Sequence, residues 1–173
     1  MYKKNALKIL LLVSLLFLIS CSQEKYKAEE FVKTGNKKIR QDNYSGAIAD
    51  YTKAIEIYPE FANAYFSRGN AKFRLMDFRG ANKDYDKAIE FNSEYVDAYV
   101  NRGRIKIKFG DITGAIEDYT KIIDIDGKNG DAYFTRGMAK FKLGDKNGAC
   151  LDWKEAEENG NIQADEMLQK YCR

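Results

Sequence analysis

The chain carries few side chains of the kind that perform catalysis or bind metal ions. It has three cysteines, Cys21, Cys150 and Cys172, and no histidine. Without histidine the chain lacks the commonest general base, the usual serine and cysteine triads and every histidine-ligated metal site. Isolated thiols are too few for a zinc site, and no glycine-rich phosphate-binding loop is present. We therefore expect no enzyme, no metal site and no cofactor.

The elements that position these residues follow a repeated pattern with a period of 34 residues and no insertion. Each of the four copies has an aromatic residue, a glycine, an alanine and a second aromatic residue at the same offsets. The copies are Phe31, Gly35, Ala47, Tyr51; Tyr65, Gly69, Ala81, Tyr85; Tyr99, Gly103, Ala115, Tyr119; and Tyr133, Gly137, Ala149, Trp153. Small and apolar residues recur at helical spacing, so each copy predicts two helices. Stacked repeats make an extended binding surface rather than a pocket for chemistry.

Capping residues mark the ends of the predicted helices. Asn63, Asp97 and Asp131 are candidate N-caps of first helices, and Gly110 and Gly144 are candidate helix stops. The glycine inside each first helix costs about 1 kcal/mol relative to alanine. We therefore expect the second helix of the pair to pack closely against it.

These residues resemble the tetratricopeptide repeat family, which has an aromatic residue, a glycine, an alanine twelve residues later and a second aromatic residue. The resemblance covers residues 28–161 as four repeats, 28–61, 62–95, 96–129 and 130–161. It implies an all-α fold, a right-handed α-solenoid of four helix pairs whose first helices line the concave face. One departure is that the proline that usually closes a repeat occurs only at Pro59.

The sequence also indicates where the repeat array ends. The fourth repeat has polar Glu157 and Asn159 where the others carry apolar residues, and a terminal repeat has less surface to bury. Residues 162–173 predict a capping helix. Its apolar positions at helical spacing are Ala164, Met167, Leu168 and Tyr171.

The amino-terminal segment has the features of an export signal: lysines, then a short apolar run from Ile9 to Ile19, then a small residue. The run is too short for an ordinary membrane-spanning helix, which needs about 20 residues. Residues 18–21, Leu-Ile-Ser-Cys, resemble the lipobox of bacterial lipoproteins. The resemblance implies a signal peptide over residues 1–20, lipidation of Cys21, a short tether over residues 21–27, and a membrane-anchored lipoprotein of the bacterial cell envelope. An uncleaved anchor or a plain signal is the alternative, and the sequence does not identify the membrane or leaflet.

Removal of the signal changes the charge balance. The chain has 29 basic and 26 acidic residues, but three of the lysines lie within the signal. The mature chain would therefore carry equal numbers of each. We expect no general affinity for nucleic acid.

Cys150 and Cys172 are equally distant in sequence from the predicted turn near Asn161. An antiparallel hairpin of helices would therefore bring them close together. An exported compartment is oxidising, so we predict a disulfide that holds the capping helix on the array. The alternative is a pair of buried thiols.

A charged pattern follows the same period: an arginine precedes the interior glycine, and an aspartate precedes the second aromatic residue. The arginines are Arg68, Arg102 and Arg136, and the aspartates are Asp50, Asp84, Asp118 and Asp152. A half-buried arginine needs a partner, so we predict an arginine–aspartate ladder within or between repeats. A functional anion site is the alternative.

The resemblance to the repeat family also implies a peptide-binding concave face, formed by four places of each first helix. In repeat order these residues are Val32, Asn36, Ile39, Arg40; Phe66, Asn70, Phe73, Arg74; Val100, Arg104, Ile107, Lys108; and Phe134, Met138, Phe141, Lys142. An apolar stripe beside a basic row suits a peptide with apolar anchors and acidic flanks. The alternative is that the apolar side chains cover the helix seam and the basic ones are solvated.

One subclass of the family grips a peptide carboxylate with a set of lysine, asparagine and arginine residues. In the best register only Asn70 and Asn101 match that set, while Asp131 has the opposite charge. We therefore do not expect a carboxylate clamp of that type.

The leading hypothesis from the sequence is a non-enzymatic, membrane-tethered scaffold that binds a protein or peptide partner on its concave face. A structural subunit of a cell-envelope complex, contacting partners through its edges or convex face, is the second hypothesis. An envelope enzyme or a glycan-binding module is a remote third.

Overall fold

The computed structural model describes residues 22–172, and this range forms nine helices and no strand. The helices are α1 over residues 22–39, α2 Tyr44–Ile57, α3 Ala62–Arg74, α4 Phe78–Phe91, α5 Val96–Lys108, α6 Ile112–Ile125, α7 Gly130–Lys142, α8 Lys146–Glu158 and α9 Ala164–Tyr171. The prediction of an all-α fold is confirmed. The predicted signal peptide and the lipidation site Cys21 lie outside the described residues.

The structure describes residues 22–27 of the segment predicted as a tether. Residues 22–27 are helical and continue into α1 without a break. Their sequence, Ser-Gln-Glu-Lys-Tyr-Lys, lacks glycine and proline and contains good helix formers. A helix advances about 1.5 Å per residue, so this segment reaches less than half as far as an extended chain.

The second helices of all four repeats begin with a capping side chain, and for α4 it is Asp77, which accepts from the Gly80 amide at 2.8 Å. Asp111 and Asp145 each accept a hydrogen bond from the amide of the glycine three residues later, at 3.0 and 2.9 Å, and Asn43 caps α2 in the same way. A Cβ on Gly114 or Gly148 would run into the capping carboxylate. Glycine at this place therefore lets the cap close on the backbone.

The predicted caps of the first helices are wrong by about one half-turn. Helix α3 starts at Ala62 with no side-chain cap, and Asn129 rather than Asp131 caps α7. Asp97 and Asp131 lie inside the first turns of α5 and α7. A carboxylate there still interacts favourably with the positive end of the helix, which is why the sequence signal was ambiguous.

Glycines end two of the first helices as predicted. Gly110 and Gly144 follow α5 and α7 with φ of 86° and 88°, a left-handed conformation that glycine adopts without steric penalty. Asp42 and Met76 take the equivalent conformation after α1 and α3. The turn geometry is therefore retained where the glycine is absent.

The chain divides into two compact units, Met1–Ala81 and Asn82–Arg173. In the described part of the first unit, the core contains Tyr51 among small residues such as Ala28, Ala47 and Ala64. An added Cβ on Gly35 would lie 2.5 Å from the Tyr51 ring. The interior glycine of this repeat is therefore a place of close approach, as the sequence predicted.

The second unit contains two core clusters. One forms around Tyr119 and Ile122, and the other around Trp153, with α9 contributing Met167, Leu168 and Tyr171. Gly137 approaches the Trp153 ring so closely that an added Cβ would be 2.7 Å away. Helix α9 packs on α8 and covers the apolar end of the last repeat.

None of the described helices is both long enough and apolar enough to cross a membrane.

Candidate functional site

The arginine of the fourth repeat lies in a network that joins two repeats. Arg136 donates from Nε and Nη2 to the two carboxylate oxygens of Asp152, at 2.9 and 2.7 Å, and from Nη1 to Thr120 Oγ1 at 3.1 Å. Its guanidinium lies 5.5 Å from the centre of the Tyr133 ring. Lys140 Nζ also contacts Asp152, at 2.8 Å. One carboxylate therefore binds two cations, and the arginine side chain links α8 to α6 through its hydrogen bonds.

The third repeat has the same arrangement. Arg102 forms the paired hydrogen bonds with Asp118, at 3.1 and 2.6 Å, and a third with Asp86 at 2.8 Å. Lys106 Nζ lies 3.0 Å from Asp118, and the Tyr99 ring is 5.3 Å from the guanidinium. The structure thus brings the predicted arginines and aspartates together within the third and fourth repeats. Between repeats the partners are Asp86 and Thr120, which were not predicted.

The first unit contains parts of the same network. Arg68 stacks on the Tyr65 ring at 5.5 Å and donates to Thr52 Oγ1 at 3.1 Å. In the first repeat a threonine, Thr34, stands where the others have arginine. There Asp50 is buried and contacts Lys38 Nζ at 2.7 Å. The lysine half of the network is therefore kept where the arginine is missing.

The arginines are held as cations. Hydrogen bonding to Asp152 raises the pKa of Arg136, although burial opposes this. For Arg102 burial works to lower the pKa, but the hydrogen bonds to Asp118 and Asp86 outweigh it and raise the pKa. The side chains of Arg102 and Arg136 are only 17% and 15% exposed. Their donors are directed at protein carboxylates, which favours a structural role over an anion site.

Sequence reasoning missed the lysine of this network. It recurs with the same period, one helical turn after the arginine and twelve residues before the aspartate. The lysines at this place are Lys38, Lys72, Lys106 and Lys140. An i, i+4 spacing from the arginine places both cations on one face of the first helix, so the signal was present in the aligned repeats.

The apolar side chains of the predicted concave face divide into covered and exposed members. Val32 is buried, and Ile39 packs against the core of the first unit. Val100 and Ile107 pack on the Tyr119 cluster, while Phe134 and Phe141 pack on the Trp153 cluster. These residues cover the helix seam. Two others are more exposed, Phe73 at 36% and Met138 at 41%.

Phe66 and Asn70, the remaining predicted residues of α3, are half-buried. Asn36 has a structural partner, because its side-chain oxygen accepts a hydrogen bond of 2.7 Å from the Tyr51 hydroxyl. In the third repeat the equivalent residue, Arg104, is exposed, and its charge opposes the rise in the pKa of Tyr119 that burial causes. The repeat position of Asn36 and Arg104 thus interacts with the second aromatic residue as well as lying at the surface.

The predicted basic row is exposed throughout. It consists of Arg40, Arg74, Lys108 and Lys142, which end the first helices or directly follow α1. A cation at this end of a helix interacts favourably with the last carbonyl groups. Arg74 also lies 5.9 Å from the Tyr44 ring. In the second unit the exposed residues of the predicted face are therefore Arg104, Lys108, Met138 and Lys142.

Cys150 and Cys172 are brought together on α8 and just after α9. They form a disulfide with a Cα–Cα distance of 5.7 Å. Among residues 22–172 no group of histidine, cysteine, aspartate or glutamate side chains is arranged to hold a metal ion.

Comparison with known proteins agrees with this architecture. Residues 35–75 match a family model described as TPR repeat, and residues 96–129 match one described as tetratricopeptide repeat. No curated protein matches the chain in sequence.

Solved structures share the fold. A crystal structure of MamA is 28% identical, with a TM-score of 0.73 over 80% of this chain and 81% of that one. The first TPR of Spaghetti (RPAP3), bound to the HSP90 peptide SRMEEVD, is also 28% identical, with a TM-score of 0.64 over 69% of this chain and 98% of that one. A tetratricopeptide repeat protein from Parabacteroides merdae is 17% identical, with a TM-score of 0.75 over 80% of this chain and 56% of that one. The chain is therefore an all-α solenoid that contains tetratricopeptide repeats.

Proposed function

We propose that this protein is a non-enzymatic scaffold that binds an acidic peptide or protein segment on the exposed face of its first helices. The observation that carries the proposal is the surface of α5 and α7, where Arg104, Lys108 and Lys142 accompany the exposed thioether of Met138. Methionine adapts its shape to different apolar partners. Cations beside an apolar anchor favour a ligand with aliphatic and carboxylate side chains.

The comparison with a peptide-bound relative supports this class of ligand. The peptide in that structure, SRMEEVD, contains three acidic residues and a methionine. Tetratricopeptide repeats in general serve as protein interaction modules, so the fold fits a scaffold. The carboxylate-gripping set of the family is represented here only by Asn70 and Asn101. The ligand class is therefore proposed on charge, without that binding geometry.

We further propose that the protein is anchored to a membrane of the bacterial cell envelope by a lipid on Cys21. The support is the lysine-rich start, the short apolar run and the lipobox-like residues before Cys21. More than one acyl chain gives durable anchoring. Nucleic acid is not an expected partner, because the mature chain would carry equal numbers of basic and acidic residues.

The anchor is tested by metabolic labelling with a radioactive fatty acid. The full chain should incorporate label, and a Cys21→Ala variant should not. A Cys150→Ser variant is the matched control, since it removes a different cysteine. Equal labelling of the Cys21→Ala variant would disprove the anchor, and it would leave the peptide-binding proposal standing.

The binding face is tested by cross-linking the full protein in its native envelope and identifying what it captures. A variant with Arg104→Glu, Lys108→Glu and Lys142→Glu should lose its partner, because each change reverses a charge at the proposed contact. A variant with Lys83→Glu and Lys128→Glu, both exposed and neither on a first helix, should keep it. If the first variant retains every partner, the proposal is wrong, and the protein contacts its partners through its edges or its second helices.

A further inference from the structure

A groove lies between α8 and α9, apart from the first-helix face. It has a volume of about 620 Å³, which is within the range of natural ligand sites. Lys146, Leu151 and Lys154 form the α8 wall, Leu168 and Tyr171 form the α9 wall, and the Cys150–Cys172 disulfide lines it between them. Both walls are therefore covalently held in place before any ligand arrives.

The charge of this groove has one sign. Among the described residues that line it, two are lysines and none is acidic. The acidic group nearest to Lys154 in an ion pair is Glu158, at 3.9 Å, and both side chains are more than half exposed. An exposed pair at that distance contributes little. Both lysines are available to a carboxylate of a ligand.

The groove also has apolar surface that the repeat fold does not require. Leu151 is 67% exposed, and the equivalent residues of the other repeats are Ala49, Lys83 and Glu117. The position therefore tolerates small, basic and acidic residues elsewhere in the array. Here it adds an aliphatic side chain beside Leu168 and Tyr171, between the two lysines.

The spacing of these residues defines the ligand. Lys146 and Lys154 are eight residues apart on α8, which is about 12 Å along the helix axis. Four residues of extended chain span about 13–14 Å, and side chains two residues apart share a face. We infer that this groove binds an extended acidic peptide segment of a partner protein, with the order acidic–any–aliphatic–any–acidic. The carboxylates contact the two lysines and the aliphatic side chain contacts Leu151.

The experiment uses the full chain in detergent and fluorescein-labelled, end-capped peptides. The probe is Glu-Ser-Leu-Ser-Glu, and its matched control is Gln-Ser-Leu-Ser-Gln. Binding of each peptide is measured by fluorescence anisotropy at low ionic strength. The probe should bind about fivefold more tightly than the control, since each lysine contact is exposed and modest. Added salt should weaken binding of the probe and leave binding of the control peptide unchanged.

Variants assign the binding to the groove. The double variant Lys146→Glu, Lys154→Glu should lose the preference for the acidic probe. Leu151→Gln should lower the affinity for both peptides by about the same factor. Lys83→Glu with Lys128→Glu is the charge-matched control, and the triple variant of Arg104, Lys108 and Lys142 tests the other face. If that triple variant alone abolishes binding, the probe occupies the first-helix face and the inference is wrong.

Two further results would overturn the inference. One is equal binding of the acidic and amide peptides. The other is obtained with vesicles of equal parts phosphatidylcholine and phosphatidylglycerol, compared with pure phosphatidylcholine vesicles. A preference for the anionic vesicles that is lost in the Lys146→Glu, Lys154→Glu variant, without any peptide preference, would make the occupant a membrane surface.

Discussion

Replacement of Asp152 tests the ion-pair network most directly. Its side chain is 5% exposed, its carboxylate accepts hydrogen bonds from Nε and Nη2 of Arg136, and Lys140 Nζ lies 2.8 Å away. Asp152→Asn keeps the size of the side chain and removes its charge. Two poorly hydrated cations would then share a site without a counter-ion. We expect a loss of about 3–5 kcal/mol in the free energy of unfolding, the range for breaking a buried pair.

Arg136→Met is the complementary change. Methionine keeps much of the apolar stem, and Asp152 retains Lys140 as its counter-ion. The hydrogen bond to Thr120 and the contact with the Tyr133 ring are lost as well. We expect a smaller loss, about 2–3 kcal/mol. In the double variant the two losses should not add, and their difference, the coupling energy, should be about 1.5–3 kcal/mol.

Urea unfolding of the full chain measures these energies. Trp153 is the only tryptophan and is buried in the same repeat, so its fluorescence reports on the network directly. Far-ultraviolet circular dichroism reports on all the helices. The two transitions must coincide before a single free energy is used, because repeat arrays can unfold in parts.

A surface ion pair on the same helix is the control. Lys154 and Glu158 are 3.9 Å apart, with side chains 68% and 58% exposed, and their coupling energy should be below about 0.5 kcal/mol. Raising the salt to about 1 M should reduce this value and leave the buried coupling nearly unchanged. A coupling between Arg136 and Asp152 below about 0.5 kcal/mol, or one that salt removes, would refute the structural role of the network.

Three further predictions concern other contacts. Cys172→Ser removes the disulfide with Cys150, which closes a sequence separation of 22 residues, and should lower the free energy of unfolding by about 3 kcal/mol. Reductant should lower it by the same amount in the unchanged chain. An unchanged urea midpoint would contradict this prediction. Gly137→Ala should destabilise the fold by about 1–3 kcal/mol because the added Cβ has no room beside Trp153. Gly127→Ala is the control and should be tolerated, since the nearest atom to its added Cβ is 3.8 Å away. Equal unfolding midpoints for the two variants would contradict the close approach at Gly137. Burial raises the pKa of Tyr51 to about 12, so this side chain ionises first in the unfolded chain. Tyr51 alone should lower the free energy of unfolding by about 2–3 kcal/mol between pH 10 and 12, in addition to the losses from Tyr85, Tyr95 and Tyr119, whose pKa values burial also raises. Tyr51→Phe should reduce that loss, and an identical alkaline profile would disprove it.

Much of the fold could be predicted because helical periodicity and the 34-residue repeat are local properties of the sequence. The interior glycines were predicted as places of close approach, and Gly35 and Gly137 meet the second aromatic residues there. Helix starts were less well predicted, since Asp131 stabilises the first turn of α7 although Asn129 caps it. The segment 21–27 was predicted only as a short tether, and the helical conformation of residues 22–27 was not predicted.

The candidate site was predicted only in part. Regular spacing identified Arg136 and Asp152, and the structure places them in contact. Lys140, which contacts the same carboxylate, recurs with the same period but was not recognised, because the spacing does not show which of two cations on one helix face reaches the aspartate. Of the predicted concave face, Phe141 packs against Trp153 and Tyr171. Helical spacing says which side of a helix a residue occupies, and it does not say which other helix covers that side.

The sequence by itself therefore determined the repeat, the helices, the interior glycines and the scarcity of catalytic side chains, because each depends on residue type and on spacing along one chain. Only the tertiary structure decided which predicted surface residues are covered, which cations share each aspartate, and that α8 and α9 form an open groove lined by two lysines. Those properties depend on distances between side chains that are far apart in sequence. They arise from packing, where one side chain takes the space, the counter-ion or the solvent exposure that another would otherwise have had.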